Sequence, residues 1–165
     1  MFFFRLVITF SLLNKTLKEV FFMILGIYPY LVMNGNGQEA VKFYENALGA
    51  KVVGVQTFGD MPENPEFSVP AEAKDRVLNA HLKIGNNDLM LSDTFPGQPY
   101  QIGSQVTVSI TIDNVEKSEE VFGKLKECGQ VNMPLQETFW SPSYGQVTDK
   151  FGVTWQISTQ VADNK

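Results

Sequence analysis

His81 is the only histidine among 165 residues, and no other side chain type in the chain ordinarily titrates close to neutrality apart from the single cysteine, Cys128. As a general base it would exchange a proton near pH 7; hydrogen-bonded and neutral within a sheet, it would be structural. No second carboxylate is evidently aligned to orient it. Cys128 sits near the end of an expected helix and has no evident partnership with His81, so it reads as a buried structural thiol rather than a nucleophile. The remaining candidates are uncharged: Thr107, Ser109 and Gln156 on strands, with Trp140 and Tyr144 in and after a turn. Such groups orient a small molecule rather than perform acid or base work.

Strands must position these residues, because strand side chains alternate between two faces. Over 78–84, Leu78, Ala80, Leu82 and Ile84 oppose Asn79, His81 and Lys83. Over 105–112, Val106, Val108, Ile110 and Ile112 oppose Gln105, Thr107, Ser109 and Thr111. Val153, Trp155 and Ile157 oppose Thr154 and Gln156. The apolar sets are docking faces for helices. The polar sets carry little charge, unlike an ordinary solvated sheet; two readings stand, wet Thr/Ser/Gln positions or the wall of a small-molecule cleft. Trp140 and Tyr144 wall that cleft or pack on the strand beneath.

The order of elements is regular. "IYPYLVM" (27–33) reads as a strand, "NGNG" (34–37) as a turn, and "QEAVKFYENALG" (38–49) as an amphipathic helix with stripe Ala40, Val41, Phe43, Tyr44 and Leu48. Asn36 with Glu39 predicts a capping box, and Gly49 a C′ stop. A strand over 50–58 leads into a long acidic, proline-bearing loop (59–76), expected to be a flap or a dimer-facing arm. Strands over 77–85 and 88–93 form a hairpin, and 94–103 has the composition of a linker. A strand over 104–112, a helix over 113–129 with stripe Val115, Val121, Phe122 and Leu125, and strands from 130 to 158 complete the pattern. The order β-α-β-β-β therefore occurs twice, which points to tandem α+β modules.

Length and composition bound the function. A chain that is 44% hydrophobic and 19% charged buries one substantial core and makes one domain. A formal charge of −5 with scattered Lys and Arg excludes a phosphate-backbone footprint, so nucleic acid is not an expected partner. One cysteine excludes an intramolecular disulfide framework and fits the cytoplasm. Residues 1–26 read as an N-terminal extension, with an apolar stretch (6–13) too short to span a bilayer and no signal cleavage pattern. An upstream start before Met23 accounts for it; an amphipathic helix on the domain or a partner is the alternative. The domain is expected over 27–160, with a tail at 161–165.

"PYLVMNGNGQEAVKFYENALGA", "NAHLKIGNNDLMLSD" and "FWSPSYGQVTDKFGVTWQIS" together resemble, in order and spacing, the PhnB-like branch of the glyoxalase/bleomycin resistance/dioxygenase group, the vicinal oxygen chelate superfamily. The resemblance covers 27 to about 160. It implies paired βαβββ modules curled into an open cup, a homodimer, and in metal-dependent members a divalent ion (Zn, Ni, Mn or Fe) held by His, Glu or Gln. Carried over position by position, the last strand's carboxylate falls on Gln156, a histidine of the second module on Thr107, and the first strand offers Tyr28, Pro29 or Tyr30. His81 matches a histidine frequent in the branch, which leaves His81 and Gln156 as the metal candidates; Asp93 and Asp149 are expected to serve turns. The sequence departs from the branch at Ser141-Pro142, Lys150 and Val153.

Two functions follow. One is a small-molecule protein with metal-assisted lyase, isomerase or oxygenase chemistry, in which His81 is catalytic and Tyr30, Thr107, Ser109, Trp140, Tyr144 and Gln156 hold the ligand. The other is non-catalytic sequestration of an aromatic or peptide-like compound. A methyltransferase reading is disfavoured, because no Gly-rich strand-to-helix loop in a doubly wound sheet is present to cradle a nucleotide-bearing cofactor.

Overall fold

The computed structural model describes residues 26–160; the expected N-terminal extension, apart from Gly26, and the tail at 161–165 lie outside them. Eight strands form two four-stranded sheets of identical plan. In the first, β1 (Tyr30–Met33), β2 (Lys51–Thr57), β3 (Val77–Ile84) and β4 (Asn87–Asp93) lie in the order β1-β4-β3-β2. In the second, β5 (Val108–Ile112), β6 (Gln130–Thr138), β7 (Ser141–Thr148) and β8 (Thr154–Thr159) lie in the order β5-β8-β7-β6. The β1/β4 and β5/β8 pairs are parallel and the rest antiparallel. This is the expected tandem βαβββ, α+β fold with open sheets.

Helix α1 (Gly37–Leu48) buries Ala40, Val41 and Tyr44 of the expected stripe; Ala47 is buried as well, while Phe43 and Leu48 are half-buried against the core, and Gly49 stops the helix in the left-handed region at φ 61. The capping box does not form. Asn36 makes no side-chain cap bond; instead Asp93, at the end of β4, accepts from the amides of Gly35 (2.7 Å), Gly37 (2.9 Å) and Val77 (2.7 Å). The carboxylate thereby holds the first amide of α1 together with one loop amide and the first amide of β3. It also explains Gly37, where a Cβ would come within 2.6 Å of the Asp93 carboxylate.

Helix α3 (Val115–Leu125) is capped by its own asparagine: Asn114 Oδ1 accepts from the Lys117 amide at 2.7 Å. Val121, Phe122 and Leu125 are buried as expected. The helix ends earlier than expected, in a turn where Cys128 rather than Gly129 takes positive φ. Gly129 is needed for a different reason, since a Cβ there would lie 2.4 Å from the Thr148 carbonyl oxygen. The tight turn leaves Cys128 exposed, not buried as expected.

The expected strand over 104–112 begins at Val108, because its partner β8 starts at Thr154 and the first pairings are Val108 with Trp155 and Ser109 with Gln156. Without a pairing partner, Val106 is 81% exposed instead of facing the core. The long loop contains a 3₁₀ turn (Phe58–Asp60) and one short helix, α2 (Ala71–Lys74). Arg76 ties its end to the Thr94 carbonyl at 2.9 Å, and Phe58 and Phe67 pack on Phe95.

One core joins the modules. Met33, Leu82 and Leu91 of the first sheet share a cluster with Val147, Trp155 and Ile157 of the second, with Tyr44 and Leu125 between them. Burying side chains of this size contributes roughly 1.5–3 kcal/mol each. At the junction the Tyr44 hydroxyl and the Trp155 indole N–H both donate to Asp149 Oδ2 at 2.8 Å, while Asp149 Oδ1 accepts from the amides of Phe151 and Val153. Asp93 and Asp149 thus both serve turns, as the sequence reading held. Burial, and then the charge of Asp149, push the Tyr44 phenol well above its ordinary pKa. Lys150 pairs with Glu39, and Lys124 donates to the Asn46 carbonyl at 3.1 Å, fastening α1 to the second module from outside.

Candidate functional site

With helices on the apolar faces, each sheet keeps one open face, and the two differ in charge. On the first sheet, Tyr30 pairs with Met90, Met90 with His81, and His81 with Gly54 in one row. His81 Nε2 lies 2.6 Å from Asp88 Oδ1, and Lys83 Nζ bonds both Asp88 oxygens at 3.0 and 3.2 Å. Hydrogen bonds from His81 first, then Lys83, hold the Asp88 carboxyl below its usual range. The imidazole is 38% exposed. With Nε2 directed at a carboxylate, Nδ1 is the nitrogen left to meet a ligand. Tyr30 is exposed beside this group, its hydroxyl 3.5 Å from Asn79 Nδ2.

On the second sheet, Ser109, Gln156 and Gln146 form one row and Thr111, Ser158 and Tyr144 the next. A chain of hydrogen bonds crosses them. Gln146 Nε2 donates to the Tyr144 hydroxyl (2.9 Å), Tyr144 to Gln156 Oε1 (2.9 Å), and Gln156 Nε2 to Thr107 Oγ1 (2.7 Å). Trp140, 55% exposed, stands edge-on to Tyr144 with centroids 5.4 Å apart, and exposed Phe139 meets it edge-on in turn. The second sheet therefore brings together Thr107, Ser109, Trp140, Tyr144 and Gln156; His81 and Tyr30 are on the first.

A cleft of about 760 Å³ runs between the modules. Its floor is Leu48, Leu89, Val121 and Trp155; one wall is the β3–β4 hairpin with Asp88, the other is β5 with Ser109. Each open face borders this cleft: Asp88, which bonds His81, on the first sheet, and Ser109 and Thr111, which pair with Gln156 and Ser158, on the second. Neither His81 nor Gln156 lines it. Lys117 also lines the cleft, but its ammonium is engaged by Glu120 at 2.8 Å, and Lys117 with Lys124 holds that carboxyl down at about 2.

Sequence reasoning missed Asp88 and Lys83 because of one turn. With the turn at Asn86–Asn87, Asp88 would stand opposite Gly85, far along the strand from His81. The turn at Gly85–Asn86, with Gly85 at φ 57, sets Asp88 opposite Lys83, one pair from His81. A Gly-Asn pair flanked by strands was the available signal.

A pair of open mixed sheets with helices on one side, meeting at a cleft, defines the architectural class. The chain belongs to the Glyoxalase/Bleomycin resistance protein/Dioxygenase superfamily, whose model matches residues 26–157. Protein YjdN of Escherichia coli (strain K12) is 34% identical over 136 residues, 79% of this chain and 92% of the relative. Protein PA1353 from Pseudomonas aeruginosa superposes with TM-score 0.75 at 39% identity, over 84% of this chain and 100% of that one. The PhnB protein from Bacillus cereus matches at TM-score 0.66 and 24% identity, over 81% and 98%. At the level of fold alone, a FosX fosfomycin resistance protein from Listeria monocytogenes, complexed with Mn(II) and 1S,2S-dihydroxypropylphosphonic acid, matches at TM-score 0.57 and 13% identity, over 82% and 93%.

The residues present do not fit such a metal. Among the described residues no group of three His, Cys, Asp or Glu side chains could hold an ion, whereas a catalytic zinc site uses about three protein ligands. Both ends of the Gln156 amide are already engaged, by Tyr144 and Thr107. His81 Nε2 is engaged by a carboxylate that a lysine also holds. The His81 and Gln156 pair implied by the resemblance lies on two different sheets.

Proposed function

We propose that this chain is a PhnB-like small-molecule-binding protein whose site is the cleft between its modules, and that it binds and sequesters its ligand. The carrying observation is the cleft itself: about 760 Å³, apolar at its floor, with Asp88 and Ser109 on opposite walls. That size and lining suit a drug-sized organic molecule. The donor set favours sequestration over metal-assisted lyase, isomerase or oxygenase chemistry, because His81 is already bonded to Asp88 and Gln156 to Tyr144 and Thr107. The experiment is a native mass-spectrometric screen of neutral aromatic compounds against the chain and Ser109→Trp, which fills the cleft from an exposed position. Retention by the parent and loss in the variant are expected; equal retention by both removes the cleft from the reading.

A second reading is proton transfer at His81, favoured by one observation, the Asp88 carboxylate on Nε2. Lone His is a poor base without an orienting partner, and Asp88 supplies one. The functional unit in either reading is 27–160, and it works as a homodimer in the cytoplasm. Support for the dimer comes from β1 and β5, each paired on one side only among the described residues, and from Ile27, Tyr30, Val32 and Val106, exposed among those residues at or beside the same edges. Uncovered apolar edges are surfaces a second copy covers. No helix among the described residues is long and apolar enough to cross a membrane.

A further inference from the structure

The cleft wall on the second module is the edge of a strand, not its face. Side chains on one face of a strand recur at every second residue; here residues 108–113 line the cleft in unbroken succession. β5 pairs with β8 on one side and with no described strand on the other. The Gln160 amide donates to the Ile112 carbonyl at 2.8 Å, so the backbone of Ile112 faces β8, and with it that of Ile110 and Val108. Backbone groups of successive strand residues point to opposite sides. Ser109 and Thr111 therefore turn their N–H and C=O groups into the cleft, where no described strand receives them.

Such a row is a template for strand addition. The opposite wall, the β3–β4 hairpin, belongs to the same chain, and a space of about 760 Å³ between them holds a short extended segment, not a second sheet. Charge gives that segment a direction. Among the charged groups lining the cleft, Asp88 is held by His81 and Lys83, and Lys117 by Glu120. Asp113, just past the C-terminal end of β5, has no hydrogen bond or ion pair among the described residues. An ammonium group at Asp113 sets the amino terminus of the segment there, so the segment runs antiparallel to β5.

We infer that the cleft takes the amino-terminal end of an extended peptide, which adds to β5 as an antiparallel strand. Its first residue pairs with Thr111 and its third with Ser109, and the open backbone groups of both are then engaged. Residues opposite each other in a ladder share a face. The second side chain, beside Ile110, thus turns to the helix side and meets the apolar floor at Leu48 and Val121, while the first and third lie with the uncharged side chains of Thr111 and Ser109. This rests on the proposal that the cleft binds small molecules and adds their class: a short peptide with a free amino group and an apolar second residue.

The experiment is a two-dimensional amide NMR titration of the full chain with Ala-Phe-Ala amide, whose amino terminus is free. Shifts are expected at the amides of Ser109, Thr111, Leu48 and Val121. Methylating the third nitrogen of the peptide removes a ladder bond and should weaken binding about tenfold; exchanging its phenylalanine for alanine should do the same. Acetylating the amino terminus should weaken binding about threefold, and Asp113→Asn should reproduce that loss for the free peptide while leaving the acetylated one unaffected. Equal binding of the parent and N-methyl peptides overturns strand addition, and unchanged binding of the free peptide by Asp113→Asn overturns the direction. Shifts of Ser109 and Thr111 with rising protein concentration alone would place a second copy on the edge and overturn the peptide as occupant. If the peptide moves no cleft amide while benzyl alcohol, a neutral aromatic, moves Leu48 and Val121, the inference fails and the cleft stands; no shift with either probe removes both.

Discussion

The two modules share a strand order and a register yet close their helix ends with different chemistry. The parallel pairs end on Met33 opposite Asp93 in the first module and Ile112 opposite Thr159 in the second. Asp93 gathers three backbone amides, the first of α1 among them, and Asn36 makes no side-chain cap bond there. Thr159 instead joins a hydroxyl ladder: its Oγ1 lies 2.6 Å from Ser118 Oγ, and its backbone bonds Ser141 Oγ at 2.8 and 3.0 Å. The helix there keeps its own cap at Asn114. The open faces diverge at matching positions too: His81 corresponds to Gln146 and Met90 to Gln156, since each is offset equally from the ends of the parallel pairs. A repeated backbone plan fixes where polar groups are needed; it does not fix whether a charge or a dipole fills the need.

The sharpest way to break the comparison is Asp93→Ala. It leaves three amides without their acceptor, and a loss of about 3–5 kcal/mol is expected in urea unfolding. Ser141→Ala removes the neutral hydroxyl that holds the Thr159 backbone at the matching end of the second module, and should cost about 1–3 kcal/mol. Near-equal losses would show that charge gives the first module no special strength. At the caps the contrast shrinks: Asn114→Ala is expected to cost about 1 kcal/mol and Asn36→Ala only a few tenths, read from thermal midpoints. An equal effect at both would contradict the absence of a side-chain cap at Asn36.

Titration separates the junction between the modules from the open face of the first module by direction. Tyr44 has its pKa raised in the folded state, by burial and then Asp149. Stability from it is complete below the unfolded value of about 10 and declines as pH rises beyond it. Melting scans from pH 8 to 11 should fall less steeply in Tyr44→Phe. Asp88 has its pKa lowered by His81 and Lys83. Its contribution is present above the unfolded value of about 3.9 and fades as pH falls through the folded one, a small effect because the pair is solvated. Lys83→Ala should move the Asp88 carboxyl upward in a carbon-13 titration, and an unmoved value would separate the lysine from the triad.

The βαβββ repeat, both helix stripes and the two-faced strands were legible because periodicity and alternation record which side of each element is dry. Asp93 and Asp149 were legible as turn residues, though not as hubs, since their donors come from residues as far apart in sequence as Gly35 and Asp93 or Tyr44 and Asp149. Asp88 was missed through a one-residue turn placement. Cys128 was misread because burial of a thiol after a helix depends on which residue takes the left-handed conformation. The ligand-binding candidates Thr107, Ser109, Tyr144 and Gln156 were visible as alternating polar positions. Their bonding to one another was not visible, because it depends on the register between β5, β7 and β8.

The placement of the only two tryptophans divides the protein optically. Trp155, 1% exposed and bonded to a carboxylate where the modules meet, emits from dry surroundings, while Trp140, 55% exposed on a hairpin lip, emits from water. Separation of the modules would redden the first signal and leave the second unchanged, so a single spectrum reports loosening of the junction against an internal reference.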